Sequence, residues 1–466
     1  MKSKPRVGVI LLRAEWFDSV VALPQLVSAV RADQQAIEQE LSQFFILAGV
    51  WPVNSQESLQ ACVQAVKAVE TDLFILSFQV WAEDFYLVPL LDAIGDQPLA
   101  VWCFQPWTSL PRPVAFSQVL RGSGPVGTFE GLGTLRNLGA KFAFTLGPQD
   151  DPRVRRDLAI AARAGQVRQA LRKARFGLLP GRNEQMQSTF VDEFRLRREI
   201  GPQVKLLSVS ELKRKADSLQ NEEVCSYVEQ LRAEYPVRGV DEEDLALGAR
   251  ASLALAHLAV DQKLDVLSLD DIDPELHEVF GLRPCLYPPF LDELGVVLGL
   301  EGDLGAATAL FVMQRLTGGP LFFVEFWFWD ELQNVIVGGH AGVQNPQAAV
   351  PGQAWISHDY EFAQSDRSEG AHFQFVARSG RVTLLQMRAT PGSWQAICVL
   401  GEALDDGPWL EGYPHAAIRL DVSVEQFVRR AAKVGTTQHW IMGYGDIDAE
   451  IQALCDWLDI PLEIIQ

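Results

Sequence analysis

Residues 319–340 read GPLFFVEFWFWDELQNVIVGGH, and the pattern of the chain changes at this stretch. After Pro320, short apolar runs alternate with a period near two and are broken by Gly, Asp and Asn, which is typical of antiparallel strands. From Glu425 the chain returns to helix, strand, helix and strand. We therefore predict a β-rich, barrel-like C-terminal domain over residues 321–466.

Upstream of this stretch, the chain alternates short apolar runs such as VGVILL, FILAGVW and LAVWCF with longer amphipathic stretches. Short strands that alternate with helices imply βαβ units and a parallel sheet. We predict two α/β domains of the parallel-sheet, Rossmann-like type, over residues 1–174 and 175–320. The fold class is therefore α/β, with the β-rich domain at the C-terminus.

Three helices can be placed from local patterns. Residues 153–175 are predicted to be helical and carry eight basic residues against one acidic residue, which favours a solvated or interdomain helix over an anion site. Ser208 and Glu211 have the spacing of a capping box and predict a helix start. Residues 241–269 are predicted to form one long helix with an acidic first turn.

Length and charge limit the possible partners. A chain of 466 residues suits three domains of roughly 150 residues each. It carries 60 acidic and 40 basic residues, a formal charge of −20, so bulk attraction to a phosphate backbone is not favoured and we predict no nucleic-acid partner. Hydrophobic residues make up 48% and charged residues 21%, which is a globular rather than a disordered composition.

Cysteine spacing and hydropathy indicate the cellular compartment. The six cysteines lie far apart and form no C-x-x-C pair, so neither a disulfide framework nor a zinc site is indicated. The first apolar run, VGVILL, ends before Arg13 after six residues, which fits a strand rather than a signal peptide. No stretch of about 18 uncharged apolar residues occurs, so we predict no membrane partner. The expected location is the cytoplasm.

Familiar phosphate and nucleophile motifs are weak or missing. Gly122, Gly124 and Gly127 have G-x-G-x-x-G spacing, but AFSQVLR precedes them where a dinucleotide loop needs a strand, and the first βα turn, LLRAEWF, has no glycine. Neither a Walker loop nor a G-x-S-x-G nucleophile elbow occurs. Phosphoryl transfer and serine esterase chemistry therefore lose their usual sequence support.

The residues best suited to catalysis or metal binding are carboxylates and imidazoles that lie among apolar residues. Glu325 lies in the first strand of the 319–340 hairpin, and an ionised carboxylate there is costly unless it is paired or bound to a metal ion. Strand alternation puts three aromatic residues on its face: Phe323, Trp327 and Trp329. Trp327 and Trp329 would form an apolar wall that excludes water, or simply belong to the core.

Three more residues complete a candidate metal site. His340 follows the second strand, so the hairpin would bring it beside Glu325. Glu301 precedes a small-residue helix, and His439 lies near the end of a helix or the start of a strand. Two carboxylates and two imidazoles suit a catalytic ion such as Mn²⁺, with positions left for water and substrate oxygens. The alternative is a core glutamate, a turn histidine and surface groups.

The other histidines have weaker claims. His257, inside an apolar helix, is expected to be a core or interface residue. His358 with Asp359 and Glu361 could form a second metal patch, although surface pairing is the more ordinary interpretation. No role is assigned to three further histidines in polar or turn-rich surroundings: His277, His372 and His415.

Residues 298–342 resemble the metal-binding core of the L-arabinose and L-fucose isomerases: a glutamate before a small-residue helix, then LTG-x-P, an acidic residue on a strand and G-H beyond a hairpin. The tail GTTQHWIMGYG resembles that family's C-terminal histidine motif. Residues 181–212 resemble the opening of its central domain, with Met186 and Asp192 in the corresponding places. VWCFQPW and GTFEGLGTLRNLG resemble its N-terminal sugar-side segments, where Gln105 matches a polar position near the substrate.

This resemblance spans nearly the whole chain and implies a function. It assigns the metal ligands to four residues: Glu301, Glu325, His340 and His439. The two glutamates would also be the acid/base pair, and the cofactor would be a divalent metal, with Mn²⁺ the expected ion. Gln105 and Met186 would bind the substrate, a monosaccharide. The family also implies a homo-oligomer, a trimer or a hexamer, whose active site borrows the neighbouring subunit's N-terminal domain.

Two positions depart from the family pattern. Gln438 stands where the C-terminal motif often has a first histidine, and the first βα loop offers Arg13, Glu15 and Trp16 where the arabinose enzymes carry Gln and His. The leading hypothesis is a metal-dependent aldose–ketose isomerase that acts through an enediolate with paired glutamates. The alternatives are a non-catalytic sugar-binding or regulatory protein on the same scaffold, and a metal-dependent hydrolase, although H-E-x-x-H is absent.

Overall fold

The computed structural model describes residues 4–19, 23–110, 112–288, 290–361 and 368–466. The chain forms two compact units, the first with Met1–Gln169 and Ala449–Trp457, the second with Ala170–Asp448 and Leu458–Gln466. The division of the chain into three domains stays a prediction.

The first unit is built on a parallel sheet. Its strands are Arg6–Leu12 (β1), Ile46–Val53 (β2), Leu73–Phe78 (β3), Leu99–Phe104 (β4) and Ala143–Gly147 (β5). They pair in the order β2-β1-β3-β4-β5, and each of these pairings is parallel. The helices are Trp16–Ser19 (α1), Pro24–Phe44 (α2), Gln56–Ala68 (α3), Leu87–Ile94 (α4), Phe116–Arg121 (α5), Gly124–Asn137 (α6) and Pro152–Lys173 (α7), the last of which ends in the second unit.

This sheet has an apolar core on each face, because its central strands carry continuous apolar runs. On one face, Ile37 of α2 and Leu158 of α7 belong to the core cluster that includes β1 and β3. On the other face, Leu59 of α3 and Leu90 of α4 pack against the opposite side chains of the same strands. The first unit is therefore a three-layer α/β/α structure, as the alternation of strands and helices predicts.

The predicted helix at residues 153–175 is present as α7 but ends at Lys173, since Arg175 begins β6, and several of its arginines are paired within the first unit. Arg155 Nε lies 2.7 Å from Glu40 Oε1, and Arg163 Nη1 lies 2.7 Å from Glu450 Oε1. Partners of this kind neutralise the charge of the helix and leave no reason to invoke an anion site.

The glycine motif begins between two helices, with Gly122, and continues into the second helix, with Gly124 and Gly127. α5 ends at Arg121, and α6 begins at Gly124. A dinucleotide loop requires a strand before its glycines. The G-x-G-x-x-G spacing is therefore incidental, as the sequence context indicates.

The second unit contains a parallel sheet, a barrel and a small sheet. Its strands are Arg175–Leu179 (β6), Gln203–Leu206 (β7), Val237–Arg238 (β8), Val266–Leu269 (β9), Val297–Leu300 (β10), Phe322–Asp330 (β11), Val335–Gly339 (β12), Trp355–Ser357 (β13), His372–Gln374 (β14), Gly380–Ala389 (β15), Trp394–Ala403 (β16), His415–Leu420 (β17), Trp440–Tyr444 (β18) and Leu462–Ile465 (β19). The remaining helices are Glu193–Arg195 (α8), Val209–Ser218 (α9), Asn221–Glu234 (α10), Glu242–Asp261 (α11), Pro274–Phe280 (α12), Leu291–Leu294 (α13), Leu304–Thr317 (α14), Val424–Val434 (α15) and Asp448–Leu458 (α16), most of which lies in the first unit.

The parallel sheet of the second unit has the order β10-β9-β6-β7. The predicted capping box is present at the start of α9, where Ser208 and Glu211 bond reciprocally. The prediction of one helix over residues 241–269 is wrong in its last part. α11 ends at Asp261, Lys263 adopts a left-handed φ of 52°, and the apolar residues that follow form β9 between β6 and β10. Pairing with two neighbouring strands outweighs local helix propensity there.

The C-terminal strands form a closed antiparallel barrel. Its order is β15-β18-β11-β12-β17-β16, and β16 pairs back with β15 along its whole length. β19 extends the barrel by pairing parallel to β16. Closure leaves few open edges, which is how antiparallel sheets of this size avoid unpaired backbone groups. The predicted fold class is confirmed: parallel-sheet α/β structure followed by a β-rich, barrel-like C-terminal part.

Every helix within the described residues is too short or too polar to cross a membrane. Each of the six cysteines, all of them described, carries a free thiol.

Candidate active site

The four predicted metal ligands lie on or next to strands of the second unit, three of them just beyond a strand end and Glu325 within β11. Glu301 directly follows β10, at the carboxyl end of a parallel strand, and its backbone has a left-handed φ of 54°. Glu325 on β11 lies opposite Gly339 of β12, so His340 comes next to it, as the hairpin predicts. His439 directly precedes β18, which pairs with β11. The barrel and the parallel sheet therefore both contribute side chains to one point.

These four side chains converge. One ligand atom from each residue lies within 4.8 Å of the others, and we call this group the metal cluster. His439 Nε2 lies 2.9 Å from Glu301 Oε2 and 3.5 Å from Glu325 Oε1. His340 Nε2 lies 3.5 Å from Glu301 Oε1 and 4.0 Å from Glu325 Oε2. Among the described residues, this is the group with the spacing to hold a metal ion.

Both imidazoles are oriented through Nδ1. His439 Nδ1 lies 2.9 Å from Asp303 Oδ2, and His340 Nδ1 lies 2.5 Å from the carbonyl oxygen of Ala341. Because these oxygens only accept, each Nδ1 carries the proton, and in the neutral ring each Nε2 presents a lone pair to the cluster. His340 Nε2 is buried and has no hydrogen-bond partner. The residues therefore fit a divalent ion, which would satisfy this buried acceptor.

Asp303 is a functional residue that the sequence analysis missed. It caps α14: its Oδ1 accepts hydrogen bonds from the backbone N–H groups of Gly305 and Ala306. Its Oδ2 holds His439. An Asp just before a small-residue helix predicts the cap. Its second role depends on β18, more than a hundred residues later in the sequence, and no local pattern shows it.

The charges of the metal cluster are strongly coupled. Burial opposes ionisation of Glu301 and Glu325, but the hydrogen bond from His439 and the charge of the two imidazoles prevail and lower the pKa of both carboxyls. Burial likewise opposes the charge on His439, yet its hydrogen bonds to Asp303 and Glu301 raise its pKa well above the ordinary value. A divalent ion would replace the positive charge of this imidazolium and compete with its proton.

The metal cluster opens into a cavity of about 430 Å³, within the size range of small-molecule sites. The described residues that line the cavity belong to the second unit: Glu301, Glu325, Trp327, Phe328, His340, Ala341, Glu361, Leu410, Glu411 and Tyr413. Its walls combine aromatic rings with carboxylates, which is the chemistry of a site for a small polar molecule.

The aromatic wall differs from the prediction at one position. Trp327 lines the cavity, and its Nε1 donates to Glu325 Oε2 at 3.4 Å. A β-bulge between Phe326 and Phe328 inserts one extra residue, so the alternation of β11 slips. Phe328 is among the described residues that line the cavity, and Trp329 is not. The prediction that Trp329 shares the face of Glu325 is therefore wrong.

A second group of charged residues, the Arg283 cluster, consists of Arg283, Asp271, Asp359 and Glu361. The Arg283 side chain is 1% exposed, and its Nε and Nη2 donate to the two oxygens of Asp359 at 2.6 and 2.8 Å. Its Nη1 donates to Glu361 and lies 3.8 Å from Asp271 Oδ2. Burial, which Arg283 only partly offsets, raises the pKa of Asp271 to about 6.

Asp271 links the two clusters. Its Oδ1 accepts a 3.3 Å hydrogen bond from the backbone N–H of Glu301, which helps to hold that residue in its left-handed conformation. Its Oδ2 lies where Gly342 has no side chain: Gly342 has a φ of 85°, and a Cβ there would come within 2.5 Å of this oxygen. Glycine is therefore required two residues after His340.

The structure corrects the interpretation of three residues near or among the histidines: Asp359, His372 and His257. Asp359 is buried rather than part of a surface pair, and its partner Arg283 lies 76 residues away in sequence. His372 is also buried, and burial lowers its pKa to about 4. His257 is not a core residue: it is partly exposed, and its Nε2 lies 3.0 Å from Glu223 Oε1.

The two predicted sugar-binding residues lie in different units. Gln105 follows β4 in the first unit, where its Nε2 donates to the carbonyl oxygen of Trp107 at 2.7 Å. Met186 lies in the second unit, and Gln438 Nε2 approaches its sulfur to 3.1 Å. Because Gln438 directly precedes His439, this contact ties Met186 to the segment that carries a residue of the metal cluster. Sugar binding by Gln105 and Met186 stays a prediction.

The fold, the metal cluster and the cavity agree with the expected class of enzyme, the aldose–ketose isomerases. No family model matches the chain. Among curated proteins, the chain is similar to the sulfoquinovose isomerase of Priestia aryabhattai, with 22% identity over 415 residues that cover 88% of this chain and 90% of that protein. The sulfoquinovose isomerase of Priestia megaterium matches with the same figures. A sulfoquinovose isomerase of a Clostridium species matches with 23% identity over 376 residues, 77% of this chain and 80% of that protein.

These similarities confirm the enzyme class, an aldose–ketose isomerase and thus an intramolecular oxidoreductase of carbohydrate metabolism. The matched proteins are sugar isomerases, and they do not point to L-arabinose or L-fucose in particular.

Proposed function

We propose that the chain is a divalent-metal-dependent isomerase of a monosaccharide, with Glu301 and Glu325 as its acid/base pair and an enediolate as its intermediate. The observation that carries the proposal is the convergence of two carboxylates and two imidazole Nε2 atoms on one point of a cavity. Each group in this set has a use in moving a proton between neighbouring carbons of a sugar.

Four side chains would hold the ion: Glu301, Glu325, His340 and His439. Mn²⁺ suits this mixed set of oxygen and nitrogen ligands. A bound divalent ion supplies a Lewis acid that polarises the sugar carbonyl and stabilises the negative charge that develops on its oxygen. Asp303 and the carbonyl of Ala341 keep the two imidazoles in the tautomer that leaves Nε2 available.

The two glutamates would transfer the proton. A base must take the proton from one carbon and return it to the other, while an acid serves the neighbouring oxygen. The lowered pKa values of both carboxyls keep them ionised near neutral pH, so either can accept a proton, and a glutamate serves as the acid only after it has taken one up. Glu325 is 26% exposed and Glu301 10%, so Glu325 is the better placed to reach a carbon-bound proton. Trp327 Nε1 holds one oxygen of Glu325 in place.

We further propose an aldose as the substrate, with Gln105 and Met186 among the residues that contact it. The matched relatives make sulfoquinovose one candidate, and the resemblance to the L-arabinose and L-fucose isomerases adds pentoses and 6-deoxyhexoses. The proposed assembly is a homo-oligomer, a trimer or a hexamer, in which Gln105 serves the cavity of a neighbouring chain. The proposed location is the cytoplasm.

The direct test is a metal-supplemented screen of pentoses, hexoses, 6-deoxyhexoses and sulfoquinovose that follows ketose formation. The proposal predicts turnover of at least one sugar, its loss on chelation and its return with Mn²⁺. Glu331→Gln, on the exposed turn of the hairpin, should keep full activity and serves as the matched control. A metal-loaded protein that binds sugars but forms no ketose would favour a non-catalytic sugar-binding protein on the same scaffold.

Hybrid oligomers test the shared site. Gln105→Ala and Glu301→Gln should each be nearly inactive, and a mixture of the two should regain part of the activity after subunit exchange. Exchange without rescue would favour a site built within one chain.

A further inference from the structure

The cavity has a second chemical feature beside the metal cluster. Glu361, Glu411 and Tyr413 line the same cavity, yet none of them belongs to the metal cluster. The Glu361 side chain is 38% exposed, although it is tied to a guanidinium that is almost fully buried. A carboxylate that is anchored at one side and open at the other is suited to contact a ligand.

Glu361 is anchored twice. Arg283 Nη1 donates to its Oε2, and its backbone N–H donates to Asp359 Oδ1 at 3.1 Å. Arg283 is itself fixed by the two-point contact with Asp359. Glu361 therefore loses little rotamer freedom when it binds a ligand, and an ionised carboxylate has further acceptor positions beyond the one that Arg283 occupies.

Tyr413 completes this part of the wall. Its ring meets Trp327 edge to face, with centroids 5.0 Å apart, and Glu361 lies close enough to act electrostatically on its hydroxyl. Burial and the charge of Glu361 raise the pKa of Tyr413 to about 12, so the phenol stays a neutral donor. Acceptor and donor groups beside an aromatic face match the hydroxyls and C–H surfaces of a sugar.

The charge of the wall is one-sided. The described lining of the cavity includes no lysine or arginine, and its carboxylates are Glu301, Glu325, Glu361 and Glu411. A bound divalent ion would balance the two glutamates of the metal cluster, which leaves Glu361 and Glu411 facing the remainder of the sugar. Sugar hydroxyls donate well to such carboxylates, whereas a sulfonate or phosphate would be repelled in a partly desolvated site.

We propose that Glu361 is a specificity-determining residue: its carboxylate accepts hydrogen bonds from hydroxyls of an uncharged monosaccharide and selects against sugars that carry an anionic group. Arg283 and Asp359 act as positioning residues that present Glu361 to the cavity. This inference rests on the proposed function and narrows its substrate to uncharged aldoses.

The test measures kcat and KM of the metal-loaded full chain on the best uncharged hexose, its 6-phosphate and its 6-sulfonate. The wild type should favour the uncharged sugar by at least tenfold in kcat/KM. Glu361→Gln should raise KM for that sugar roughly tenfold, keep kcat within threefold and reduce the discrimination against the anions, since it loses a charge-assisted hydrogen bond and a repulsive charge. Glu331→Gln should change neither quantity.

A second variant separates recognition from folding. Glu361→Asp keeps the charge and shortens the reach, so it should raise KM while the discrimination against anionic sugars is retained. Wild-type preference for the 6-sulfonate or 6-phosphate would overturn the inference, as would unchanged KM and unchanged discrimination in folded Glu361→Gln.

Binding measurements keep this result distinct from failure of the proposed function. If the metal-loaded protein forms no ketose, calorimetric titration with the same three sugars replaces kinetics. Uncharged sugars bound through Glu361 would support the inference although the isomerase proposal fails. No binding of the uncharged sugar, or binding that Glu361→Gln leaves unchanged, would overturn it.

Discussion

The metal cluster and the Arg283 cluster are both buried groups of charged side chains in the second unit, but they are satisfied in different ways. In the Arg283 cluster, a guanidinium donates to both oxygens of Asp359 and to Glu361, so the charges are met inside the protein. In the metal cluster, two imidazoles point Nε2 at two carboxylates, and the Nε2 of His340 has no hydrogen-bond partner. The Arg283 cluster supplies its own cation, although Asp271 Oδ2 makes no hydrogen bond and lies 3.8 Å from Arg283 Nη1, whereas the metal cluster leaves a position for a ligand.

This difference separates a structural group from a chemical one. Removing one member of a satisfied buried cluster leaves unpaired charge and costs stability. Removing a member of a cluster that is built to hold an ion costs metal affinity and activity instead. Substitutions in the two clusters should therefore affect different measurable properties.

The largest expected effect is on turnover. Glu325→Gln keeps the shape of the side chain but removes the base, so kcat should fall by about 10²–10⁴-fold. Steady-state kinetics on the sugar found by the screen would measure this fall. Because Glu325 is also a proposed ligand, metal occupancy must first be shown equal to the wild type. Full activity in a metal-loaded Glu325→Gln protein would remove Glu325 from the acid/base pair.

The Arg283 cluster should show its effect in stability. Arg283→Met leaves the buried carboxylates of Asp359 and Asp271 without a cation, and we expect a loss of about 3–5 kcal/mol in the free energy of unfolding. Urea titration of the metal-free protein at neutral pH would measure it. The matched control is Arg429→Met, which breaks an exposed pair with Glu425 and should cost about 1 kcal/mol or less. Equal effects in the two variants would show that the Arg283 cluster contributes no special stability.

Metal affinity should depend on the metal cluster alone. His439→Ala removes one ligand, and the affinity for Mn²⁺ should fall by about tenfold or more. Titration calorimetry on metal-free protein would give the dissociation constant, with His257→Ala as the control because His257 is partly exposed and contacts Glu223 outside the metal cluster. Unchanged metal binding in both His439→Ala and His340→Ala would eliminate the proposed site.

Metal binding should also depend on pH. The pKa of His439 is raised, so near neutral pH an ion must displace a proton from Nε2. The apparent affinity for Mn²⁺ should therefore fall on the order of tenfold for each unit that the pH drops below this raised pKa, and level off above it. The pKa values of Glu301 and Glu325 are lowered, so these carboxyls add to the loss only at acid pH. Affinity that does not change between about pH 6 and 8 would contradict the assignment of His439.

The sequence predicted the metal cluster because each member lies beside a recognisable element. Glu325 lies on the first strand of an evident hairpin, His340 directly follows the second, and Glu301 precedes an evident helix. The structure brings these three together with His439, which the resemblance to a known family also assigns. The fold class could be predicted for the same reason, since continuous apolar runs and alternating runs differ in period.

The Arg283 cluster, the bulge in β11 and the strand β9 could not be predicted from the sequence because they depend on tertiary structure. Arg283 meets Asp359 only because β13 and its following loop return to the parallel-sheet region, and neither residue lies in a pattern of its own. The bulge at Trp327 shifts the face of the strand without a glycine or proline to mark it. Residues 266–269 become a strand because β6 and β10 pair with them on both sides.

The central claim is that Glu301 and Glu325 pass a proton through an enediolate, and turnover in D₂O tests it most directly. A carboxylate can exchange its proton with solvent, so the account predicts deuterium on C1 of the ketose or C2 of the aldose, detected by NMR of the recovered sugars. The metal-loaded Glu331→Gln control should incorporate label as the wild type does. Product formed in D₂O without deuterium, even after long incubation, would contradict proton transfer by the paired carboxylates and favour a direct hydride shift.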